Sequence, residues 1–216
     1  MTIKYLGHAC FLLVDSRGLR VMVDPYEPGA FGNAIGYKPI ADAADIVLVS
    51  HEHADHSYVR GVPGNPAVCR EPCHAKGIEF RGLQVSHDDA GGAKRGTCMA
   101  FSFTMDDMTV CHLGDLGRSL TDAELGELGD VDVLLVPIGG TFTLDASLAW
   151  QVVDQVGPSI AIPMHYKTSR VSLPIGTLDG FIAGKPGVRR PLQSTLELTQ
   201  ADLPTETTVV VMEPSS

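Results

Sequence analysis

Short runs of apolar and β-branched residues recur along the chain, each closing at a polar or glycine-containing cluster. That punctuation predicts strands. Residues 3–5 and 10–14 are two such runs, separated by Gly7-His8, and Asp15-Ser16-Arg17-Gly18 turns the second into residues 19–23. A serine-arginine-glycine turn between apolar runs predicts a hairpin. Residues 46–49, 67–69 and 82–86 follow as further strands, and residues 98–105 and 108–111 predict a second hairpin turning at Asp106-Asp107.

The second half changes period. Residues 120–128, with Thr121 or Asp122 at the start, predict a short helix. Residues 133–136 are a continuous apolar strand; Asp145 then reads as the N-cap of a helix that carries Leu148, Ala149, Val152, Val153 and Val156 on one face. Gly157-Pro158 stops that helix, and residues 160–163 form another buried strand. Strand, helix, strand with fully apolar strands predicts an α/β fold, a sheet covered by helices. Residues 195–198 and 207–212 read as edge strands. Residues 27–38, with Tyr26 at their edge, and the basic stretch 180–191 read as loops.

With 216 residues and 44% apolar content, the chain can bury a sizeable core and is expected to form a single domain over 1–216. The start lacks a basic segment followed by an apolar core, and no apolar run is long enough to span a bilayer. Five cysteines without framework spacing fit a reducing compartment, so the expectation is a cytoplasmic protein. The net charge of −10, with no Lys/Arg cluster, argues against a general nucleic-acid surface. It leaves chemistry on a phosphate ester open.

The chemistry concentrates at Ser50-His51-Glu52-His53-Ala54-Asp55-His56-Ser57, directly after an apolar strand. On an extended segment His51, His53 and Asp55 point to one side, and His56 follows where the chain turns. Neutral imidazoles and a carboxylate converging at a strand end suit a divalent ion such as zinc, manganese or iron. Other apolar strands end at His87, at Asp115 and at His165, which places ligand-type residues along one rim of a sheet. Asp24 closes a strand before Pro25, where it either caps a turn or braces a ligand loop. Cys69-Arg70-Glu71-Pro72-Cys73-His74 looks like half of a zinc site but lacks a second half, so its cysteines are expected to serve as small apolar packing.

These motifs resemble the metallo-β-lactamase superfamily, and more narrowly its short metal-dependent hydrolases, which include the L-ascorbate-6-phosphate lactonases. The likeness rests on Gly7-His8-Ala9-Cys10, Val23-Asp24-Pro25, the 51–56 ligand motif, Gly114-Asp115, Pro137 to Thr143, and Ile162 to Tyr166, in that order. It implies a four-layer αβ/βα sandwich with the site along one edge. His51, His53 and His87 would hold one divalent ion and Asp55, His56 and His165 a second, with Asp115 bridging. His112, three residues before Asp115, is an alternative to His87. His8 and Asp24 would orient ligands. Two ions, zinc or manganese foremost and iron as a further fit, would activate water for attack on a small anionic ester, lactone or phosphoester, with Asp55 handling its proton. Thr141, Thr143, Lys167 and the 27–38 loop are the expected substrate contacts. The resemblance also admits a di-iron oxidoreductase, which would need an electron donor that 216 residues leave little room for, or a metal-binding paralogue without activity.

Overall fold

The computed structural model describes residues 1–215. Among these, two mixed sheets face each other as an α/β sandwich. The strands are β1 (Thr2–Gly7), β2 (Cys10–Val14), β3 (Arg20–Val23), β4 (Ile46–Leu48), β5 (Ala67–Cys69), β6 (Cys73–Ala75), β7 (Ile78–Ser86), β8 (Thr97–Met105), β9 (Met108–His112), β10 (Val133–Pro137), β11 (Ile160–Met164), β12 (Val188–Arg189), β13 (Thr195–Glu197) and β14 (Thr208–Val210). The first sheet runs β13-β1-β2-β3-β4-β5 and the second β12-β14-β11-β10-β9-β8-β7-β6. The helices are α1 (Ala30–Asn33), α2 (Asp122–Leu128), α3 (Ala146–Val156) and α4 (Asp179–Ile182).

Strand alternation decides which side chains meet. Ile3, Tyr5, Val21, Val23, Ile46 and Leu48 of the first sheet pack against Phe101, Phe103, Val110, Val133, Leu135 and Ile162 of the second, forming the central core. The intervening residues are apolar too, because both faces of each sheet are covered. Leu134, Val136 and Ala161 turn outward to meet Ala149, Val152 and Val153 of α3. The outer face of the first sheet is covered differently. Met22 and Val47 pack against Tyr26, Ile35, Tyr37 and Ile40 from irregular chain, whose only regular feature is the kinked turn α1.

The helix ends follow their chemistry. Thr121 and Glu124 form a reciprocal capping box on α2, and Asp145 accepts the Leu148 N–H at the start of α3. Gly157 ends α3 in the left-handed conformation. Three strand expectations need correction. β6 and the first half of β7 lie where no strand was expected. Residues 207–212 do not form an edge, because β14 sits between β11 and β12, and β12 itself arises within the expected 180–191 loop. β12 depends on β14, remote in sequence, whereas β6 and the start of β7 form a tight hairpin over Lys76-Gly77 whose alternating polar residues do not show as an apolar run.

Cys69 and Cys73 form a disulfide, with Cα atoms 6.3 Å apart, and His74 is exposed. The expectation of two packing cysteines is therefore wrong: the turn between β5 and β6 brings their Cα atoms within bridging distance. The pairing also removes the cysteine count as an argument for a reducing compartment. Cys10, Cys98 and Cys111 are free and buried. Among the described residues, no helix is long and apolar enough to cross a membrane.

Candidate metal centre

Strand direction gathers the site. β9, β10 and β11 are parallel, and β7 runs with them because β7–β8 and β8–β9 are both antiparallel. In the other sheet β3 and β4 are parallel, and β1 shares their direction through two antiparallel steps. The carboxyl ends of all these strands reach one rim, joined where His165 N–H donates to His8 O at 2.8 Å and Met99 N–H to Ser50 O at 2.8 Å. His8 follows β1, Asp24 follows β3, Ser50 to His56 follow β4, His87 follows β7, Asp115 follows β9 and His165 follows β11.

Two groups of potential ligands form there among the described residues: His51, His53, His87 and Asp115, and His8, Asp55, His56 and His165. Asp115 lies between them. Its carboxylate oxygens stand 3.7 Å from His51 Nε2, 3.4 Å from His87 Nε2, 3.3 Å from His56 Nε2 and 3.5 Å from His165 Nε2. Ligand atoms about 2.0–2.2 Å from one tetrahedral ion stand ~3.3–3.6 Å apart. These contacts are thus mostly long for hydrogen bonds and close to the spacing of donors sharing ions. His51 Nε2 and His53 Nδ1 stand 2.9 Å apart, within hydrogen-bonding distance, and belong to the same group.

Behind the donors, hydrogen bonds set tautomers. Asp24 Oδ2 accepts His56 Nδ1–H at 2.8 Å and the Ser50 hydroxyl at 2.6 Å, while Asp24 Oδ1 accepts Ser50 N–H at 2.7 Å. With its proton given to Asp24, Ser50 Oγ can only accept from His51 Nδ1, 2.9 Å away. His51 and His56 therefore both present an Nε2 lone pair to the site, provided His56 is neutral. Buried polar atoms lacking a hydrogen-bond partner collect here: His56 Nε2, Asp55 Oδ1 and Asp115 Oδ1. Such atoms are costly when unpaired, and cations suit all three. The Nδ1 atoms of His8, His87 and His165 also lack partners; Asp55, 2.9 Å from His8 Nε2, sets the tautomer of His8, and no comparable bond sets those of His87 and His165.

Electrostatics point the same way. Burial opposes ionisation of Asp115, but His165 and His56 hold its carboxyl well below the usual range. Burial also opposes a charge on His56, yet Asp115, Asp55 and Asp24 outweigh it and push that imidazole well above its ordinary value. Burial lowers His51 to about 3 and His165 to about 4, leaving both neutral. Three buried carboxylates, Asp24, Asp55 and Asp115, thus face a single strongly basic imidazole. The surplus is negative, which favours cations.

Backbone strain marks the same residues. His8, Asp24 and His165 have φ of 56°, 50° and 53°. Each such residue costs of order 1–3 kcal/mol and persists only where surroundings over-determine it. Here His8 O accepts both the Tyr5 hydroxyl and the His165 N–H, each at 2.8 Å. Gly139 permits the close approach of the turn after β10 to the His165 carbonyl, because a Cβ there would clash with His165 O.

His112 stands apart. It lies on the inward face of β9, donates Nε2–H to Ala9 O at 2.9 Å and accepts Gly114 N–H on Nδ1 at 3.0 Å. Both ring nitrogens are occupied, and no lone pair is left for an ion. Geometry favours His87 as the partner of His51 and His53.

A cavity of about 440 Å³ opens above the donors. Its walls are Phe31, Lys94, Arg95, Phe142 and Leu173, with His53, Asp55, His87, Asp115 and His165 below. Of the expected substrate contacts only the 27–38 loop takes part, through Phe31. Thr141 instead donates to Pro174 O, Thr143 is buried with its hydroxyl toward Leu144 O, and Lys167 lines a separate groove with Lys38, Arg170 and Arg190. The turn at Gly139-Gly140 after β10, closed by Gly140 N–H to Leu144 O at 2.9 Å, carries both threonines away from the cavity. Lys94, Arg95, Phe142 and Leu173 were not singled out by sequence. The one available signal was a Lys-Arg pair within the glycine-rich loop that follows His87.

Residues 2–165 match the family model described as a Beta-lactamase superfamily domain. The chain belongs to that superfamily. It is 34% identical over 196 residues to a UPF0173 metal-dependent hydrolase of Carboxydothermus hydrogenoformans, covering 78% of this chain and 85% of the relative. A second relative so named, from Methanospirillum hungatei, is 32% identical over 193 residues, covering 78% and 84%. A crystal structure from Thermotoga maritima, described as a candidate Zn-dependent hydrolase of the metallo-β-lactamase superfamily, superimposes with a TM-score of 0.79 at 35% identity and covers 98% of each chain.

Proposed function

We propose that this chain is a metal-dependent hydrolase of a small anionic ester, lactone or phosphoester, working with two divalent ions, zinc or manganese foremost. The observation that carries the reading is Asp115, whose carboxylate stands 3.3–3.7 Å from imidazole nitrogens of both donor groups. His51, His53 and His87 would hold one ion, and Asp55, His56 and His165 the other. When bound, the ions supply Lewis acidity, lowering the pKa of water and offsetting charge that develops on a substrate oxygen.

The remaining work falls to side chains of this chain. Asp55 Oδ2 accepts a hydrogen bond from His8 Nε2–H at 2.9 Å, and Asp55 Oδ1 has no protein partner. The Asp55 carboxyl is kept ionised, because His56 and His8 outweigh its burial. It can take a proton from water and return it to a leaving group, with His8 fixing its orientation. Asp24 and Ser50 hold His51 and His56 in register. The aromatic walls limit bulk water at the reacting atoms. Relatives named metal-dependent hydrolases support the same class.

The test is metal content by mass spectrometry on protein purified without chelators, with a screen of ester, lactone and phosphodiester substrates. The expected result is about two equivalents per chain, falling sharply in His51→Ala/His165→Ala. His51→Ala and Asp115→Ala are expected to abolish turnover while the protein stays folded. A folded wild type that takes up no divalent metal overturns the reading.

A further inference from the structure

The loop that carries Lys94 and Arg95 is built rather than loose. Asp88, the residue after His87, accepts four backbone N–H groups: Ala90 and Gly92 on Oδ1, Lys94 and Arg95 on Oδ2, at 2.7–2.9 Å. Gly117 backs the loop closely, since a Cβ there would lie 2.4 Å from Asp88 N. Two cationic side chains are thereby tied through one carboxylate to the strand end that presents His87.

Both cations remain available to a ligand. The Arg95 guanidinium lies over the Phe142 ring, with its Cζ 5.2 Å from the centroid, and among the described residues it makes no ion pair. Lys94 pairs with Asp89 at 2.7 Å, but both side chains are largely exposed and such pairs hold weakly. Opposite them, Phe31 is 54% exposed and sits in the left-handed region at φ 53°. A bulky residue in that conformation is an outlier, held out at the cavity mouth where water would otherwise disfavour it. Phe142 and Leu173 complete an apolar wall.

We propose that Lys94 and Arg95 recognise an oxyanionic group of the substrate while Phe31, Phe142 and Leu173 bind an apolar body, so that the substrate is a small amphiphilic anion. This rests on the hydrolase reading and narrows its substrate class. Carboxylate and phosphate groups share the recognising chemistry, since an Arg fork and a Lys point charge accept either.

The test is calorimetric binding of octanoate, octylphosphonate, acetate and octanamide to zinc-treated wild type, Lys94→Ala/Arg95→Ala and Phe142→Ala, with metal content measured in parallel. Octanoate or octylphosphonate is expected to bind at least about tenfold tighter than acetate and than octanamide. The double variant is expected to lose about tenfold for the octyl anions, with metal per chain unchanged. Phe142→Ala is expected to weaken octyl anions more than acetate. Preference between the two octyl anions identifies the head group. Equal binding of octyl anions by wild type and double variant, or no preference for octanoate over acetate, overturns the proposal. If metal content is normal in that case, the hydrolase reading stands and only the substrate class falls. If wild type holds no metal, the hydrolase reading falls whatever the binding data.

Discussion

Asp24 Oδ2 accepts His56 Nδ1–H at 2.8 Å, both side chains fully buried, and the same oxygen reaches His51 through Ser50. One carboxylate that touches neither cavity nor donor point thus sets the tautomer of two imidazoles. Asp24→Asn is expected to lower metal affinity about 10–100-fold, because partners of this kind orient ligands and raise their basicity. Chelator competition measures it. Unchanged affinity would show that His51 and His56 hold their tautomers without Asp24.

His87 and His112 separate cleanly by experiment. His87→Ala is expected to lower metal content. His112→Ala should keep it, but cost about 3 kcal/mol in denaturant unfolding, since a buried ring is lost and Ala9 O and Gly114 N–H are left unpaired. Loss of metal in His112→Ala, with His87→Ala unaffected, would reverse the assignment.

Metal uptake should release a proton. Burial opposes charge on His56, but three carboxylates push its imidazole well above the ordinary value, so near neutral pH it is protonated before an ion enters. Binding must then expel about one proton per chain from Nε2, and uptake must strengthen as pH rises toward the pKa of His56. His51 and His165, held by burial at about 3 and about 4, are neutral already and contribute none near neutrality. Titration calorimetry in buffers of different ionisation enthalpy counts the protons.

The α2 capping box gives a pH-dependent stability. Arg118 and the Thr121 cap bring Glu124 to about 2 from its ordinary 4.5. Its folded pKa is depressed, so its contribution is present above about 4.5 and is lost as pH falls toward 2. Glu124→Gln should cost about 1 kcal/mol near neutrality, less if solvent screens the pair, and should flatten acid unfolding in that window.

Cys69→Ser/Cys73→Ser should destabilise the fold by about 2 kcal/mol, as the short loop it closes implies. Denaturant midpoints with and without reductant check it. Arg70 within that turn pairs with Glu52 of the ligand loop. Loosening the turn therefore tests whether the 51–56 segment depends on its neighbour for order.

Local pattern was sufficient for most of the fold. The hairpin over β8 and β9 was legible because Asp106-Asp107 is a two-residue turn, and both residues take positive φ. Helices α2 and α3 were legible from Thr121, Asp145 and Gly157, because caps are local chemistry. The kinked turn α1, the strand β12 and the disulfide were not, since each depends on partners distant in sequence or on a turn geometry that spacing does not express.

By itself, the sequence supplied the candidate ligand-type residues. Ligand-type residues stand directly after apolar strands, and strands running in one direction must deliver their ends to one rim. Both His87 and His112 end apolar runs, and only the family resemblance favoured His87; in the fold Ala9 O and Gly114 N–H occupy both ring nitrogens of His112. The sequence could not separate a turn cap from a ligand brace at Asp24, or find Lys94, Arg95 and Phe142 at the mouth while turning Thr141, Thr143 and Lys167 elsewhere. Those outcomes depend on which loops meet across the rim. Contacts between segments remote in sequence are set by packing of the two sheets, a property of the whole chain rather than of any stretch of it.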